Sequence, residues 1–215
     1  MTNEEFIGRK TLDVSELPST MFDEKANLWW GNNWGLAIET TVFGILVALY
    51  FSVRMSISQW LPPRTTPGLP VLQNPLPDLT FPTIVLIIFL ISLAPAIYLD
   101  LSARRKDVFG MKVGLVLTLA FNIVLLVCRY YEFDALHFKW NDNAYGSVTW
   151  TILGMHMIHL FVMAAEDLYI MLWTFIKGID DKHRLDITVA AVYWYWIVGT
   201  WVLLYLLVFW GPRIL

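Results

Sequence analysis

A chain of 215 residues with a single cysteine, Cys128, forms no internal disulfide and supplies no cysteine-rich metal site. Charge is scarce too. Asp, Glu, Lys and Arg make up 15% of residues and the formal net charge is −3, so no nucleic-acid partner is expected. There is no G-x-S-x-G elbow, no phosphate-binding glycine loop and no H-E-x-x-H helix, which removes the commonest hydrolase, nucleotide and zinc-protease signatures. The period-two alternation of barrel strands is missing as well. The start, "MTNEEFIGRKTLDVSELPSTMFDEKAN", has no basic patch followed by a short apolar core. Residues 1–28 therefore read as a retained polar cytoplasmic arm and not as a cleavable signal.

What the chain has in abundance is grease: 57% of residues are hydrophobic and 15% aromatic. About 20 apolar residues span about 30 Å as a helix, enough to cross the hydrocarbon of a bilayer. Five runs qualify, at 34–53, 81–99, 108–127, 145–176 and 187–210. Blocks such as "TIVLIIFLISLA" and "WVLLYLLVFW" satisfy their backbone only as helices in lipid. The expected fold is all-α, an integral membrane bundle of five transmembrane helices over residues 29–215. With the amino terminus cytoplasmic, ten basic residues fall inside (Arg9, Lys10, Lys25, Arg104, Arg105, Lys106, Lys112, Lys177, Lys182, Arg184) and five outside (Arg54, Arg64, Arg129, Lys139, Arg213). That bias places the carboxyl terminus outside. Six of the ten prolines fall between the first two helices and a seventh, Pro82, at the start of the second, so this connection reads as an extended outer strap.

Ionisable residues inside the spans need a reason, since a charge at mid-membrane costs about 2.5 to 3.5 kcal/mol on insertion scales. Glu39 in "AIETTVFG" is an intramembrane carboxylate, either a protonatable site or a polar contact. On the fourth helix His156, His159, Met163 and Glu166 are spaced three, four and three apart and share a face. A metal at the histidines would need oxygen donors from other helices, with Glu39 and Glu132 the obvious ones. The quieter reading has both imidazoles neutral and hydrogen-bonded between helices. Two facing axial haem ligands are not available, because His137 and His183 fall in loops on opposite sides. Glu166 and Asp167 lie toward the inner end of an over-long span, where they are expected to meet water.

Five pieces in order then carry a family likeness: "AIETTVFG", the proline strap "QWLPP", "YYEF" followed by "NAYGS", "GMHMIH", and "YWYW" leading to "LLYLLVFWG". Together they run from Trp30 to Gly211. The chain resembles subunit III of the haem-copper oxidases, the cytochrome c oxidase family, in a short five-helix form. The resemblance implies a non-catalytic accessory subunit without a redox centre or metal of its own. Haem and copper would be held by partner subunits, above all the catalytic subunit I, whose proton uptake and durability in turnover it supports. Bound phospholipid is implied, as is a bacterial cytoplasmic membrane. By the same resemblance Glu39 matches the family's intramembrane acid and His156 and His159 its G-x-H-x-x-H pair. Glu132, Tyr145 and Gly146 match the outer aromatic-acid and "YGS" elements, with Glu132 and Tyr145 as cleft or interhelical contacts.

The chain departs from the family in its last helix, where the usual His and Asp positions read Tyr195 and Val198 and an earlier acid reads Thr188. Other readings stay open on sequence: an accessory subunit of nitric oxide reductase or of a quinol oxidase, a self-contained membrane metalloenzyme on His156 and His159, or a small transporter coupled through Glu39. The transporter is weakened by the absence of inverted repeats.

Overall fold

The computed structural model describes residues 21–58, 60–62 and 76–214. Five long helices dominate them: α1 (Asn27–Ser56), α2 (Thr80–Arg105), α3 (Val108–Asp134), α4 (Ala144–Ile176) and α5 (Asp181–Tyr205). A π-helical turn, Leu206–Trp210, and a short last turn, Gly211–Ile214, continue α5. All five are long and apolar enough to cross a membrane, and no strand occurs among the described residues. The chain is thus a multi-pass, all-helical membrane protein. The helices outrun the apolar stretches read from sequence, most of all at the start of α1. There the polar turns Asn27–Asn33 continue the backbone ladder beyond the hydrocarbon level. Most of the proline strap lies outside the described residues. Its ends are tied down by Asn143 Nδ2 donating to Pro62 O (3.1 Å) and Asp78 N donating to Ala135 O (3.0 Å).

Helices α2, α3, α4 and α5 close a four-helix ring, and α1 lies outside it in the groove between α4 and α5. The central window of α1 is only 11% buried, against 44% for α4 and α5, so α1 is a peripheral helix with one face on the ring. Its buried anchors are Phe43 and Tyr50.

Local chemistry sets the helix ends. Lys106, left-handed at φ 59°, stops α2 and turns the chain into α3. The two helices then pack so closely that a Cβ on Gly114 would sit 2.8 Å from the Leu99 Cβ, so this position requires glycine. Asn143 caps α4 by accepting from Gly146 N (2.8 Å), and a Cβ on Gly146 would sit 2.5 Å from Lys139 O. That contact is the physical reason for glycine in the "YGS" element. Asp180 caps α5, accepting from the His183 amide (2.8 Å). This hydrogen bond and a second from the His183 ring hold the Asp180 carboxyl below the usual range. His183 itself lies in the first turn of α5, stacked on Trp173 at 4.7 Å, and is not the loop residue the sequence suggested.

Candidate functional site

The buried stripe of α4 presents its two histidines to different neighbours. His156 is fully buried and faces α3 and α5. Arg129 on α3 places Nη2 3.2 Å from His156 Nδ1, and His156 Nε2 lies 3.1 Å from the Ile197 carbonyl on α5. A guanidinium only donates and a carbonyl only accepts. Together they select one form of the ring, a neutral imidazole with its proton on Nε2. Arg129 spends Nη1 on Glu132, 2.7 Å away and one turn on, and lays its guanidinium 3.5 Å from the Trp201 ring centroid. Phe89 from α2 meets the His156 ring edge-on at 5.7 Å. Arg129 and Glu132 are both 0% exposed. All four helices of the ring therefore meet at this cluster.

His159, one turn further, points toward α1. Its Nδ1 donates to Met155 O of its own helix (2.8 Å), which leaves Nε2 facing Glu39 Oε2 at 3.3 Å. The two side chains meet in a hydrogen bond across the α1–α4 seam. The Glu39 side chain is 37% exposed and that of His159 7%, so the pair sits at the rim of the α1–α4–α5 seam. Phe43, Trp196 and Tyr193 surround the imidazole at 5.4, 5.2 and 6.3 Å.

The sequence-nominated residues thus divide. Glu39 and His159 meet; His156 and Glu132 join a different cluster through Arg129. Tyr145 packs apart from both, between Trp60 and Phe138 (each 5.0 Å) and Tyr50 (6.2 Å), under the loop that joins α3 to α4. Glu39 and Glu132 do not converge on one histidine. Both nitrogens of each imidazole are already engaged, so the pair does not fit a metal. No group of three His, Cys, Asp or Glu suited to a metal occurs among the described residues.

Two expectations need correcting. Arg129, counted among the outer charges, is a buried structural ion, because "RYYEF" continues α3 inward of the surface and the ring leaves Glu132 there to pair with it. Asp167 does not meet water. It lies on the same α4 stripe as His156 and Met163 and is 0% exposed, whereas its neighbour Glu166 is half-buried. Asn122 on α3 faces the same part of α4, its amide oriented to donate to Leu160 O (3.2 Å) and accept from Ala164 N (2.9 Å). Sequence reasoning missed Arg129 and Asn122. The available signal was the spacing of three between Arg129 and Glu132, which puts opposite charges on one helix face.

This arrangement of five spans, with an acid–imidazole seam and a second, buried histidine, coincides with a match of residues 22–212 to the family model for cytochrome c oxidase subunit III. The chain belongs to the cytochrome c oxidase subunit III family. A cytochrome c oxidase subunit 3 of Thermostichus vulcanus is 26% identical over 175 residues, covering 81% of this chain and 82% of its own length. Those of Vanderwaltozyma polyspora and Emericella nidulans are each 27% identical, over 80% and 82% of this chain. The matches cover 63% and 66% of those two relatives, so the chain spans just under two thirds of their length. The three last-helix positions singled out from the sequence take up distinct places: Thr188 and Val198 are buried in the ring and Tyr195 is half-buried.

Proposed function

We propose that this subunit III family member is a non-catalytic accessory subunit of a proton-pumping terminal oxidase. It sits in a bacterial cytoplasmic membrane with its amino terminus inside, beside a larger chain that carries haem and copper. The family match over residues 22–212 carries the reading. The hydrogen bonding of His156 and His159 supports it, because every nitrogen of the two rings already has a partner within the bundle. With the buried Arg129 and Arg184 both set aside, basic residues divide nine inside to four outside, which keeps the bias toward an inner amino terminus.

The contribution to the complex is twofold. Glu39 and His159 give the partner an acid–imidazole pair at the edge of the bundle, in support of proton uptake by the catalytic chain. An apolar groove of about 660 Å³ beside α1, lined by Val47, Leu203, Leu206, Leu207 and Trp210, suits a phospholipid acyl chain. Purification in mild detergent tests the reading. The chain is expected to bring down larger haem- and copper-bearing subunits that consume oxygen, and a stable solitary protein would overturn it.

A further inference from the structure

Beyond the histidines, toward the carboxyl end of α4, the buried stripe carries an acid with no cation beside it among the described residues. Asp167 is 0% exposed, and neither of its carboxyl oxygens has a hydrogen-bond partner among those residues. The charged neighbour acting on it is Glu166, another acid, and the polar side chain that approaches it is Asn122 on α3. Asn122 commits its amide nitrogen to Leu160 O (3.2 Å) and sets its oxygen beside Ala164 N (2.9 Å), three residues before Asp167. The amide therefore turns an acceptor, and not a donor, toward the carboxyl group. Two oxygens facing each other in a dry interior repel unless something positive lies between them.

The layer around Asp167 is rich in oxygen and short of donors. The His156–Ile197 hydrogen bond fixes the level of α4 against α5, and counting along both helices from it brings Thr188 to within about one turn of Asp167. The contact of Asn122 with Leu160 and Ala164 likewise brings Thr118, one turn earlier on α3, to the level of Asp167. Thr118 gives its hydroxyl proton to Gly114 O (3.0 Å), as helical threonines commonly do, which leaves its oxygen as an acceptor. Thr188 makes no such bond: it is 0% exposed and its hydroxyl has no partner among the described residues. Thr174, two turns further along the α4 stripe and 1% exposed, is in the same state. Helices α3, α4 and α5 thus each bring oxygen to one buried level, with a single buried carboxyl to supply charge.

A proton on Asp167 satisfies one oxygen and leaves the others as they are, whereas a hard cation is coordinated by several oxygens at once. One buried acid matches one positive charge, and a divalent ion would leave a net charge inside the ring. We propose that Asp167, with the Asn122 amide oxygen and the Thr118 and Thr188 hydroxyl oxygens, holds one monovalent alkali cation inside the four-helix ring. The cation ties α3, α4 and α5 together at this level, as the hydrogen bonds from Arg129 through His156 to Ile197 tie them three turns away. The site is separate from the Glu39–His159 seam and does not rest on the oxidase reading.

The test is sodium binding to the full chain, alone and in its complex, with choline chloride holding the ionic strength constant. Equilibrium dialysis against radiolabelled sodium is expected to show one Na⁺ per chain that Asp167→Asn abolishes and Glu166→Gln retains. Raising Na⁺ from about 1 to 100 mM should lift the thermal unfolding midpoint of the wild type by several degrees and leave Asp167→Asn unmoved, as linkage to the folded state requires. Thr188→Val keeps the carboxylate and removes one oxygen, so it serves where Asp167→Asn does not fold. It should raise the half-saturating Na⁺ concentration about tenfold, the usual cost of one lost polar contact. An unchanged half-saturating concentration overturns the ligand set. Equal sodium retention by wild type and Asp167→Asn overturns the site. A wild type that binds no Na⁺ and whose midpoint ignores it marks Asp167 as a neutral acid and overturns the site as well. Displacement of the bound Na⁺ by millimolar Mg²⁺ or Ca²⁺ overturns the monovalent assignment.

Discussion

His156 and His159 are one turn apart on α4, yet their surroundings treat the two imidazoles in opposite ways. Around His156 every polar neighbour has a fixed role: Arg129 donates, Ile197 O accepts, and the ring is locked in one neutral tautomer inside four helices. Around His159 only one side is fixed, by Met155 O, and the other nitrogen meets a partly exposed carboxylate on the peripheral helix. The same residue type thus serves as a buried bridge at one position and as a contact to a partly exposed acid at the next. Which helix each ring faces decides the difference: the closed ring for His156, α1 for His159. Burial makes the first arrangement costly to disturb, and partial exposure makes the second adjustable.

The sharpest way to break this contrast is at Arg129. Arg129→Met leaves Glu132 as an uncompensated buried acid and strips His156 of its donor, and should cost about 3 to 5 kcal/mol. Reversible unfolding in mixed micelles, or yield of folded protein where the variant falls below threshold, would register it. Adding Glu132→Leu removes the orphaned charge, so the double variant should recover most of the loss. If the double variant proves no better than the single one, the ion pair is not what the cluster is built around. A smaller gap separates the histidines themselves. His156→Leu leaves Arg129 Nη2 and the Ile197 carbonyl short of a partner and should cost about 1 to 3 kcal/mol. His159→Leu gives up one interhelical contact at the rim and should cost about 0.6 kcal/mol, the usual size of such bonds in membranes. Equal losses at both positions in the same unfolding assay would erase the distinction drawn from their surroundings.

The five spans were legible because continuous apolar runs in lipid leave the backbone no alternative to helix. The likeness to subunit III was legible because five short pieces recur in order. What the runs could not convey is which face of each helix turns inward. Periodicity is weak when lipid-facing and core-facing residues are both apolar, and this hid Arg129 and Asp167. Each was assigned to water by its nearness to a helix end, whereas the ring that buries them is made by contacts between residues distant in sequence. Asn122 went unremarked for the same reason: a single amide in a leucine-rich run means little until Leu160 and Ala164 are seen opposite it. The pairing of Glu39 with His159 required knowing that α1 packs on α4, 120 residues later, and not on α2, its neighbour in the chain.

The smallest expected change in structure gives the finest discrimination between the two regions. A hydrophobic carbodiimide partitions into lipid and attacks protonated carboxyls it can reach. Glu132 and Asp167 are closed off at 0% exposure, whereas Glu39 presents about a third of its side chain at the seam. Labelling of the intact complex should therefore fall on Glu39, and Glu39→Gln should abolish it with assembly unchanged, as read by peptide mass spectrometry and co-purifying haem. Label that persists would locate the reactive acid elsewhere, with half-buried Glu166 the first to check. His159→Phe adds a graded readout. With the imidazole gone, Glu39 Oε2 loses its partner on α4, and the freed carboxyl should label severalfold faster. The corresponding change at the buried site, His156→Phe, should leave the rate alone, because His156 has no hydrogen bond to Glu39 and its ring exchanges no proton with the seam.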